Sequence, residues 1–543
     1  MRKIYFATMI LGSLFTVSCS ENIYDEPAQE EYSQNFIQMF GLIDKDQDWN
    51  TAGQKSVTVT GADSEVKVYA KSDDVYKLVG HYQNVANGQE LTFDAQKDVD
   101  DFVVASGGKA RLVKNGGTAD FTSATSRSYT GTGADGVFAV NEEYKEFSLS
   151  EVMSFAGRVP EGTDNTNAPG ITSNFSVVQD DRTITVYPVY WNASYAHMLG
   201  IYWTDENGVE HTQDIYQDKH QLEEEQGDEV QIDFGDGQWI NATEKESTKD
   251  ADGNTAQRIR SKGFTINLPA GTRYGFYIKV LPTAYIGYIS NTYYSEAAMN
   301  PNNESHASYF TTLLEDGQYR TFLGFEDMPN DAEDGDKDLN DFMLIIDPSP
   351  VVIDEDAADW VIASEDLGGT DDYDFNDIVF SVNHVSGETT ATVTPLAAGG
   401  TKSAWIYRDG TQVGEEIHSW LSGGNPQSSA AGYEMINTFS EGPAGTSVTI
   451  EVPADFSMAY CAGISNMGGF SIRVDDNSVA DEITAPGEGE APQMFCVPAG
   501  WKWPKERVSI SEAYPEFGEW GTNYQVSQWY NYPDEEKVLD NSH

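Results

Sequence analysis

Basic residues are scarce in this chain, and their scarcity limits what it can bind. Lysine and arginine number 32 against 88 aspartates and glutamates, so the formal net charge is −56. Nucleic acids and anionic membrane surfaces are recognised through clusters of lysine and arginine, and the sequence contains no such cluster. We therefore predict no nucleic-acid partner. The excess of carboxylates fits solubility alone, and it also fits divalent cations that neutralise local acidic clusters.

The common motifs of catalysis are missing as well. The eight histidines are scattered and form no H-E-x-x-H pair, and the chain has neither a Gly-x-Ser-x-Gly turn nor a phosphate-binding glycine loop. Glycoside hydrolysis uses two carboxylates at a set separation, but with 88 acidic residues such a pair arises by chance. We predict that the protein is not an enzyme, and a glycan-degrading enzyme is the least favoured alternative.

Cysteine is rare, and the first of the three cysteines has a distinctive setting. A short basic segment (residues 1–3) and a largely apolar segment (residues 4–17) precede Cys19. This order is typical of a lipoprotein signal peptide and is too short for a retained membrane span. We predict a signal peptide over residues 1–18, lipidation of Cys19 and an outer-membrane anchor that faces the cell surface. Two or three acyl chains suffice for stable attachment, and plain secretory cleavage is the alternative.

Cys461 and Cys496 are the only cysteines that would remain beyond the lipid anchor. Their spacing does not indicate a zinc site. An extracytoplasmic compartment permits a disulfide between them, and two buried free thiols explain the sequence equally well.

Glycine and aromatic residues are abundant and indicate strands joined by tight turns. The chain has 49 glycines, many in Asn-Gly or Asp-Gly steps, and aromatic residues make up 12% of it. We predict an all-β fold of tandem antiparallel β-sandwich domains with a short C-terminal helix. The predicted units are the signal peptide at 1–18, an acidic tether with a short helix at 19–54, a small β domain at 55–115, a Gly/Ser/Thr linker at 116–136, a β-sandwich at 137–350 and a C-terminal β domain at 351–543.

Two short helices are predicted in more detail. The first lies over Asn35–Asn50, where Phe36 and Phe40 recur at helical spacing. The second follows Ser509, which forms a capping box with Glu512.

An acidic pattern occurs twice, and it is the feature most informative about chemistry. In both copies Asp, Asp and Asn occupy every second position, a further Asp follows the Asn directly, and a strand comes next. This alternation puts oxygen-bearing side chains on one side of a tight loop. A hard cation needs six to eight such oxygens, so we predict a calcium (Ca²⁺) site in each copy. Not all of these residues can be direct ligands, and two solvated acidic turns are the alternative. The candidate ligands are Glu326, Asp327, Asp336, Asp338, Asn340 and Asp341 in the first copy, and Glu365, Asp366, Asp372, Asp374, Asn376 and Asp377 in the second.

These patterns also resemble known families. The second copy (residues 365–380), with residues 390–400 and the tail Trp-Pro-Lys-Glu at 503–506, resembles the LruC-domain lipoproteins of Bacteroidetes. The first copy, with Leu-Pro-Ala-Gly-Thr at 268–272 and Gly-Phe-Glu-Asp at 324–327, resembles a related β domain of extracellular bacterial proteins. The families are largely of unassigned function, so the resemblance implies a cell-surface address and an architecture rather than an activity.

Aromatic residues crowd the C-terminal segment, and they bear on ligand binding. Exposed aromatic rings stack on sugars, but such a density more often packs a terminal segment onto a sheet, and we predict packing. The residues are Trp501, Trp503, Tyr514, Phe517, Trp520, Tyr524, Trp529, Tyr530 and Tyr532. The predicted role is binding or adhesion, with a glycan or an extracellular protein as ligand. The alternative is a structural, fimbria-like or matrix component without a small ligand.

Overall fold

The structure is a computed structural model. It describes residues 26–72, 75–107, 109–122, 138–141, 143–148, 152, 163–165, 175–178, 184–191, 196–205, 208–217, 231–233, 239–241, 243–249, 255–269, 271–281, 291–313, 319–329, 337–366, 372–460, 466–475, 482–526 and 528–539. The predicted signal peptide and Cys19 lie outside the described residues, so their assignment stays a prediction.

Strands dominate the fold. They account for about 49% of the chain and helices for about 11%, which confirms the all-β prediction. The alternation of apolar and polar residues has the period of a strand; for example, Val57 and Val59 are buried while Ser56 and Thr58 between them are partly exposed. Within the described residues, no helix is both long and apolar enough to cross a membrane.

Helix α1 (Glu26–Phe40) opens the described chain and packs against the C-terminal unit. Tyr32, Phe36 and Phe40 recur at four-residue spacing and are buried there. The helix lies earlier than the predicted Asn35–Asn50, so that prediction was wrong in its bounds. Gly41 explains the difference, because its φ of 99° is the left-handed conformation that ends helices. The predicted tether at 19–54 is therefore partly helical and contributes to a core.

The small sandwich packs two sheets around a core that includes Val68, Phe93 and Phe102. One sheet has the strand order β4-β1-β7, and β3-β2-β5-β6 face it. The strands are β1 Ala52–Thr60, β2 Glu65–Ser72, β3 Val75–Gln83, β4 Gln89–Gln96, β5 Asp101–Ser106, β6 Lys109–Lys114 and β7 Thr118–Asp120. Strand β7 pairs parallel to β1 and falls at the start of the predicted linker; residues 123–136 of that linker lie outside the described part.

The second sandwich packs the strands β13-β12-β19-β10-β24 against a six-stranded sheet of order β21-β22-β23-β11-β18-β8. Strand β20 pairs with β19, and two further sheets are β14-β15 and β16-β17-β9. The strands are β8 Phe138–Val140, β9 Lys145–Ser148, β10 Phe175–Val177, β11 Ile184–Trp191, β12 Ala196–Thr204, β13 Glu210–Gln217, β14 Gln231–Asp233, β15 Trp239–Asn241, β16 Thr243–Lys249, β17 Thr255–Ser261, β18 Phe264–Ile266, β19 Arg273–Leu281, β20 Thr292–Tyr294, β21 Ala307–Leu313, β22 Tyr319–Phe325, β23 Phe342–Asp347 and β24 Val351–Ala357. Short 3₁₀ turns lie at Ala297–Met299 and Pro301–Asn303.

Strand β24 joins the first two units into one sheet. It pairs antiparallel with β10 and parallel with β3, so a ten-stranded sheet runs through both sandwiches. The strand lies just after residue 350, the predicted boundary to the C-terminal domain. Its hydrogen bonds put it in the sheet shared by the first two units rather than in the C-terminal unit.

The C-terminal unit packs a five-stranded sheet of order β32-β27-β26-β25-β35 against a four-stranded sheet of order β29-β28-β33-β34. The strands are β25 Asp359–Ser364, β26 Ile378–Asn383, β27 Thr390–Ala397, β28 Ala404–Arg408, β29 Thr411–Glu416, β30 Ser428–Ser429, β31 Gly432–Tyr433, β32 Val448–Glu451, β33 Phe470–Val474, β34 Glu482–Thr484, β35 Met494–Pro498, β36 Trp503–Pro504 and β37 Val538–Leu539. Helices are α2 Ile417–Leu421, α3 Ile510–Ala513 and α4 Phe517–Thr522, with 3₁₀ turns at Asn466–Gly469 and Trp529–Asn531.

The predicted C-terminal helix is present but divided. Ser509 caps α3 through its hydroxyl, which accepts from the Ser511 backbone N–H. Glu512 does not complete the predicted capping box in the described contacts; its own backbone N–H donates to the Ser509 carbonyl. Pro515 lies between α3 and α4, where proline cannot continue a helix.

Candidate metal centres

Each acidic pattern forms the connection of an antiparallel hairpin. The first acidic loop (residues 326–341) joins β22 to β23, whose ends pair at Phe325 and Phe342. The second acidic loop (residues 365–377) joins β25 to β26, whose ends pair at Ser364 and Ile378. Both loops therefore start and end on adjacent strands that fix their ends.

The two loops share an unusual backbone conformation. Lys337 and Leu339 in the first loop have φ values of 58° and 63°, and Tyr373 and Phe375 at the matching positions have 54° and 53°. For residues other than glycine this left-handed conformation costs about 1 kcal/mol each, so the surroundings must enforce it. Tyr373 and Phe375 are buried in the C-terminal core. The two aromatic residues that alternate with the acidic ones in the second loop thus face the core.

The loops also share their hydrogen bonds. The Asp341 carboxylate accepts from the Asp327 backbone N–H at 2.7 Å, and the Asp377 carboxylate accepts from the Asp366 backbone N–H at 2.6 Å. In both loops the last aspartate therefore closes the turn, a role that uses one of its oxygens.

The residues between these ends match too. Asp338 accepts from the Asn340 backbone N–H at 3.1 Å, and Asp374 accepts from the Asn376 backbone N–H at 3.2 Å. The first glutamate of each loop also accepts from a backbone N–H inside the loop: Glu326 from Asp338 and Glu365 from Phe375. The described residues at the ends of the two loops thus share their contacts, except that the first glutamate accepts from a different position in each copy.

Carboxylate oxygens converge in both loops. Oxygens of Glu326, Asp327 and Asp341 lie within 4.8 Å of one another, as do oxygens of Glu365, Asp372 and Asp374. Calcium–oxygen distances of about 2.3–2.6 Å allow two ligands of one ion to lie up to about 5 Å apart. Each group therefore has the spacing of a shared cation.

The second loop concentrates negative charge with little compensation. Burial and the neighbouring carboxylates raise the pKa of Glu365 and Asp377 well above the ordinary range and that of Asp374 to about 8. Among the described residues, no lysine or arginine forms an ion pair with any of these three. Buried carboxylates without a counter-charge are costly, and a cation would supply that charge.

Asn376 presents an oxygen that no described group satisfies. Its side chain is fully buried, its Nδ2 donates to the Pro504 carbonyl at 3.0 Å, and its Oδ1 has no hydrogen-bond partner. A buried amide oxygen without a partner is rare and costs about 1–3 kcal/mol. A β-carbon on Gly399 would lie 2.0 Å from this oxygen, so only glycine leaves room for it. The donor set, all oxygen, fits a hard cation.

Glu506 joins this group from the C-terminal segment, and sequence reasoning missed it. Burial raises its pKa first, and Asp372 raises it further. Glu506 in turn contributes to the raised pKa of Asp374. The residue belongs to the Trp-Pro-Lys-Glu stretch on which the family resemblance rested, but nothing in its spacing linked it to a loop so far back in the chain.

In the first loop, a histidine and an asparagine from outside the loop contact the acidic residues. His197 lies with its Nε2 at 2.7 Å from Asp327 Oδ2, and both side chains are buried. Asn165 donates from its side chain to the Asp338 carbonyl at 3.0 Å. Burial and the charges of Asp327 and Glu326 raise the pKa of Asp341 well above its usual range. His197 and Asn165 are distant in sequence, and no pattern pointed to either.

The predicted site residues thus fall into two groups in space, one per loop, apart from Asp336, which lies outside the described residues. Asp366 and Asp377 flank the second group rather than joining the closest set.

Cys496 is a free thiol whose burial raises its pKa, which fits the free-thiol alternative for that residue. Cys461 lies outside the described residues.

The C-terminal aromatic residues are mostly buried, which confirms that they pack. Two are exposed, Tyr524 and Tyr532; the buried ones are Trp501, Trp503, Tyr514, Phe517, Trp520, Trp529 and Tyr530. Phe495, Phe517, Trp520 and Trp529 contact one another with ring centroids 5.0–6.4 Å apart.

Comparison with known proteins gives two family matches, both to domains of unknown function. Residues 268–349 match DUF4114, a range that contains the first acidic loop, and residues 464–530 match DUF4842, a range that contains Glu506. Neither description is that of the LruC domain, so that resemblance stays a prediction. No curated protein matches the chain.

One solved structure resembles part of the chain weakly. It is a protein from Bacteroides ovatus described as a candidate lipoprotein, with 15% sequence identity and a TM-score of 0.18. The match covers 43% of this chain and 90% of the other. A similarity of this size carries no argument about fold or function.

Proposed function

We propose that this protein is a lipid-anchored outer-membrane protein that faces the cell surface, with β-sandwich domains stabilised by calcium and a role in binding or adhesion. The observation that supports it most is the common geometry of the two acidic loops, which share backbone conformation and closing hydrogen bonds. Each loop also brings three carboxylates together, although from different positions of the pattern. The lipid anchor rests on the sequence before Cys19.

Calcium is the proposed ion because every candidate ligand offers oxygen. Zinc and other softer metals favour cysteine and histidine, and the closest sets in both loops contain neither. Outside a cell, a Kd of about 10⁻⁴ to 10⁻³ M is sufficient for occupancy.

An exposed aromatic ring beside a residue that contacts Glu506 supports the proposed binding role. Phe439 is 66% exposed and follows Thr438, whose carbonyl accepts from the Glu506 backbone N–H at 2.9 Å. Exposed rings stack on sugars and pack on proteins. If the cation orders the segment around Thr438, the affinity for a ligand that contacts Phe439 would depend on calcium.

Binding is tested with a glycan array and a panel of extracellular proteins, each with calcium and with EGTA. We expect at least one ligand whose signal is lost in EGTA and in Phe439→Ala. Tyr532→Ala is the matched control, since Tyr532 is exposed on the same unit but away from Thr438 in the chain. Absence of any bound ligand in calcium would overturn the binding role.

The anchor is tested separately by metabolic labelling with a fatty-acid analogue. We expect label on the wild-type protein and none on Cys19→Ser, together with cleavage by protease added to intact cells. An unlabelled wild-type protein would contradict the lipid anchor, and a protein protected in intact cells would contradict surface exposure.

A structural surface component is the second candidate. Burial of seven aromatic residues in the C-terminal segment favours it, because few rings remain to form a sugar-binding platform. This role predicts no signal on either panel, with calcium-dependent stability retained.

A further inference from the structure

Glu506 lies near the second acidic loop, outside its closest set of carboxylates, although the residue is far from the loop in sequence. Its side chain is only 6% exposed, and Oε2 has no hydrogen-bond partner. Asp372 and Asp366 are close enough for their charges to act on it. A buried carboxylate oxygen that faces other carboxylates and has no donor is the arrangement expected of a cation ligand.

Backbone contacts hold Glu506 in this position. Pro504 accepts from the Asn376 amide, the Arg507 backbone N–H donates to Asp374 Oδ2 at 2.7 Å, and the Ile510 backbone N–H donates to the Tyr373 carbonyl at 2.7 Å. The tail segment (residues 504–510) therefore runs along the loop, with Glu506 between its first two contacts.

Two neighbouring groups do not satisfy the carboxylate. The Thr438 hydroxyl lies close enough to oppose the rise in the pKa of Glu506, but not in hydrogen-bonding geometry, so Thr438 Oγ1 is also buried without a partner. The Arg507 guanidinium lies 3.7 Å from Glu506 Oε1 and is 74% exposed. Water screens such an exposed ion pair, which contributes little.

We propose that Glu506 is a direct ligand of the cation at the second acidic loop and that the cation thereby ties the tail segment to the loop. The site then combines Glu365, Asp372, Asp374 and Glu506 with the unpartnered amide oxygen of Asn376. The summed negative charge of four carboxylates is larger than the charge of one divalent ion. Such a site favours a hard divalent cation over a monovalent one.

This inference rests on the proposed calcium sites and is tested by calorimetric titration of the chelator-stripped full chain with calcium. Glu506→Gln removes the charge and keeps the shape. Glu512→Gln is the matched control, because Glu512 is exposed and lies two residues beyond the tail segment. We expect two binding events in the wild type and in the control, and a loss of affinity of about tenfold or more in one event for Glu506→Gln.

A thermal melt of the same variants separates a ligand from a structural residue. Without calcium, Glu506→Gln should melt no lower than the wild type, since it relieves repulsion between buried carboxylates; with calcium it should melt lower. A lower melt in both conditions, or unchanged affinity, would overturn the role of Glu506 and leave the calcium sites standing. No calcium binding by the wild type would overturn both.

Discussion

Gly399 is the residue whose small size matters most directly to the second acidic loop. A methyl group there would overlap the Asn376 amide oxygen, and the φ of Gly399 is not left-handed, so the overlap alone decides the outcome. We predict that Gly399→Ala lowers the free energy of unfolding by about 1–3 kcal/mol and reduces the calcium-induced rise in Tm.

Gly518→Ala is the control for this substitution. Gly518 lies in helix α4, and its added carbon would meet only ordinary contacts at 3.8 Å or more. Thermal melts of both variants, with and without calcium, check the prediction. An unaltered calcium response in Gly399→Ala would show that the Asn376 oxygen takes no part in binding.

Asp94 links the small sandwich to the C-terminal unit and should make stability depend on pH. Its carboxylate accepts from the Ser457 hydroxyl at 2.6 Å and the Met458 backbone N–H at 2.7 Å, yet burial raises its pKa to about 6 from 3.8. A carboxyl whose pKa is higher folded than unfolded holds its proton only in the folded state between these values. Its contribution to stability is therefore full below pH ~4 and falls by roughly 3 kcal/mol as the pH rises to ~6.

We predict that Asp94→Asn removes this dependence. The difference in unfolding free energy between variant and wild type, measured by urea unfolding from pH 4 to 7, should change by roughly 3 kcal/mol in favour of the variant as the pH rises. A constant difference would contradict the assigned pKa. Other titrating groups are common to both proteins and cancel in the difference.

At the residue level, the sequence was informative where a short pattern of acidic residues occurs twice. The doubled Asp-x-Asp-x-Asn-Asp pattern identified the loop residues, because neighbours in a tight turn stay neighbours in space. Glu506 and His197 were missed since tertiary packing, which leaves no local signal, brings them to the loops. Trp49 shows the same limit, because its neighbours in the sequence give no sign that it is buried against Phe517 and Trp520.

Helix α1 belongs to the C-terminal core although it lies at the start of the described chain. Phe36 is fully buried and contacts Phe40, Trp49 and Tyr373. We predict that Phe36→Ala destabilises the C-terminal unit by about 3–5 kcal/mol, the usual cost of removing a buried ring. Urea unfolding followed by tryptophan fluorescence measures the change.

Met39→Ala on the same helix is the matched control, since Met39 is 52% exposed. We expect it to change stability by less than about 0.5 kcal/mol. Equal effects of the two substitutions would mean that α1 does not pack as described.

Element types were largely predictable and element bounds were not. Period-two alternation identifies strands such as β1, whatever they pair with. The start of α1 and the partners of β24 depend on distant residues: the core that receives Tyr32 and Phe36, and the edge of β3 that receives Ile353.

The ten-stranded sheet makes the first two sandwiches one mechanical unit. Ile353 of β24 is fully buried and pairs with Phe175 in one sandwich and Tyr76 in the other. We predict that Ile353→Ala lowers hydrogen-exchange protection in β2 and β12 together.

Val209→Ala, at an exposed position next to β13, is the control and should leave both strands protected. Loss of protection confined to one sandwich would show that the two unfold independently.

The central claim for the whole molecule is that the acidic loops are cation sites, and a calcium titration of the thermal melt tests it most directly. At ~5 mM calcium the chelator-stripped full chain should gain roughly 1–2 kcal/mol of stability per site. Asp374→Ala combined with Asn376→Ala should lose the share of the second loop and keep that of the first. No rise in the wild-type Tm at ~5 mM calcium would contradict the account.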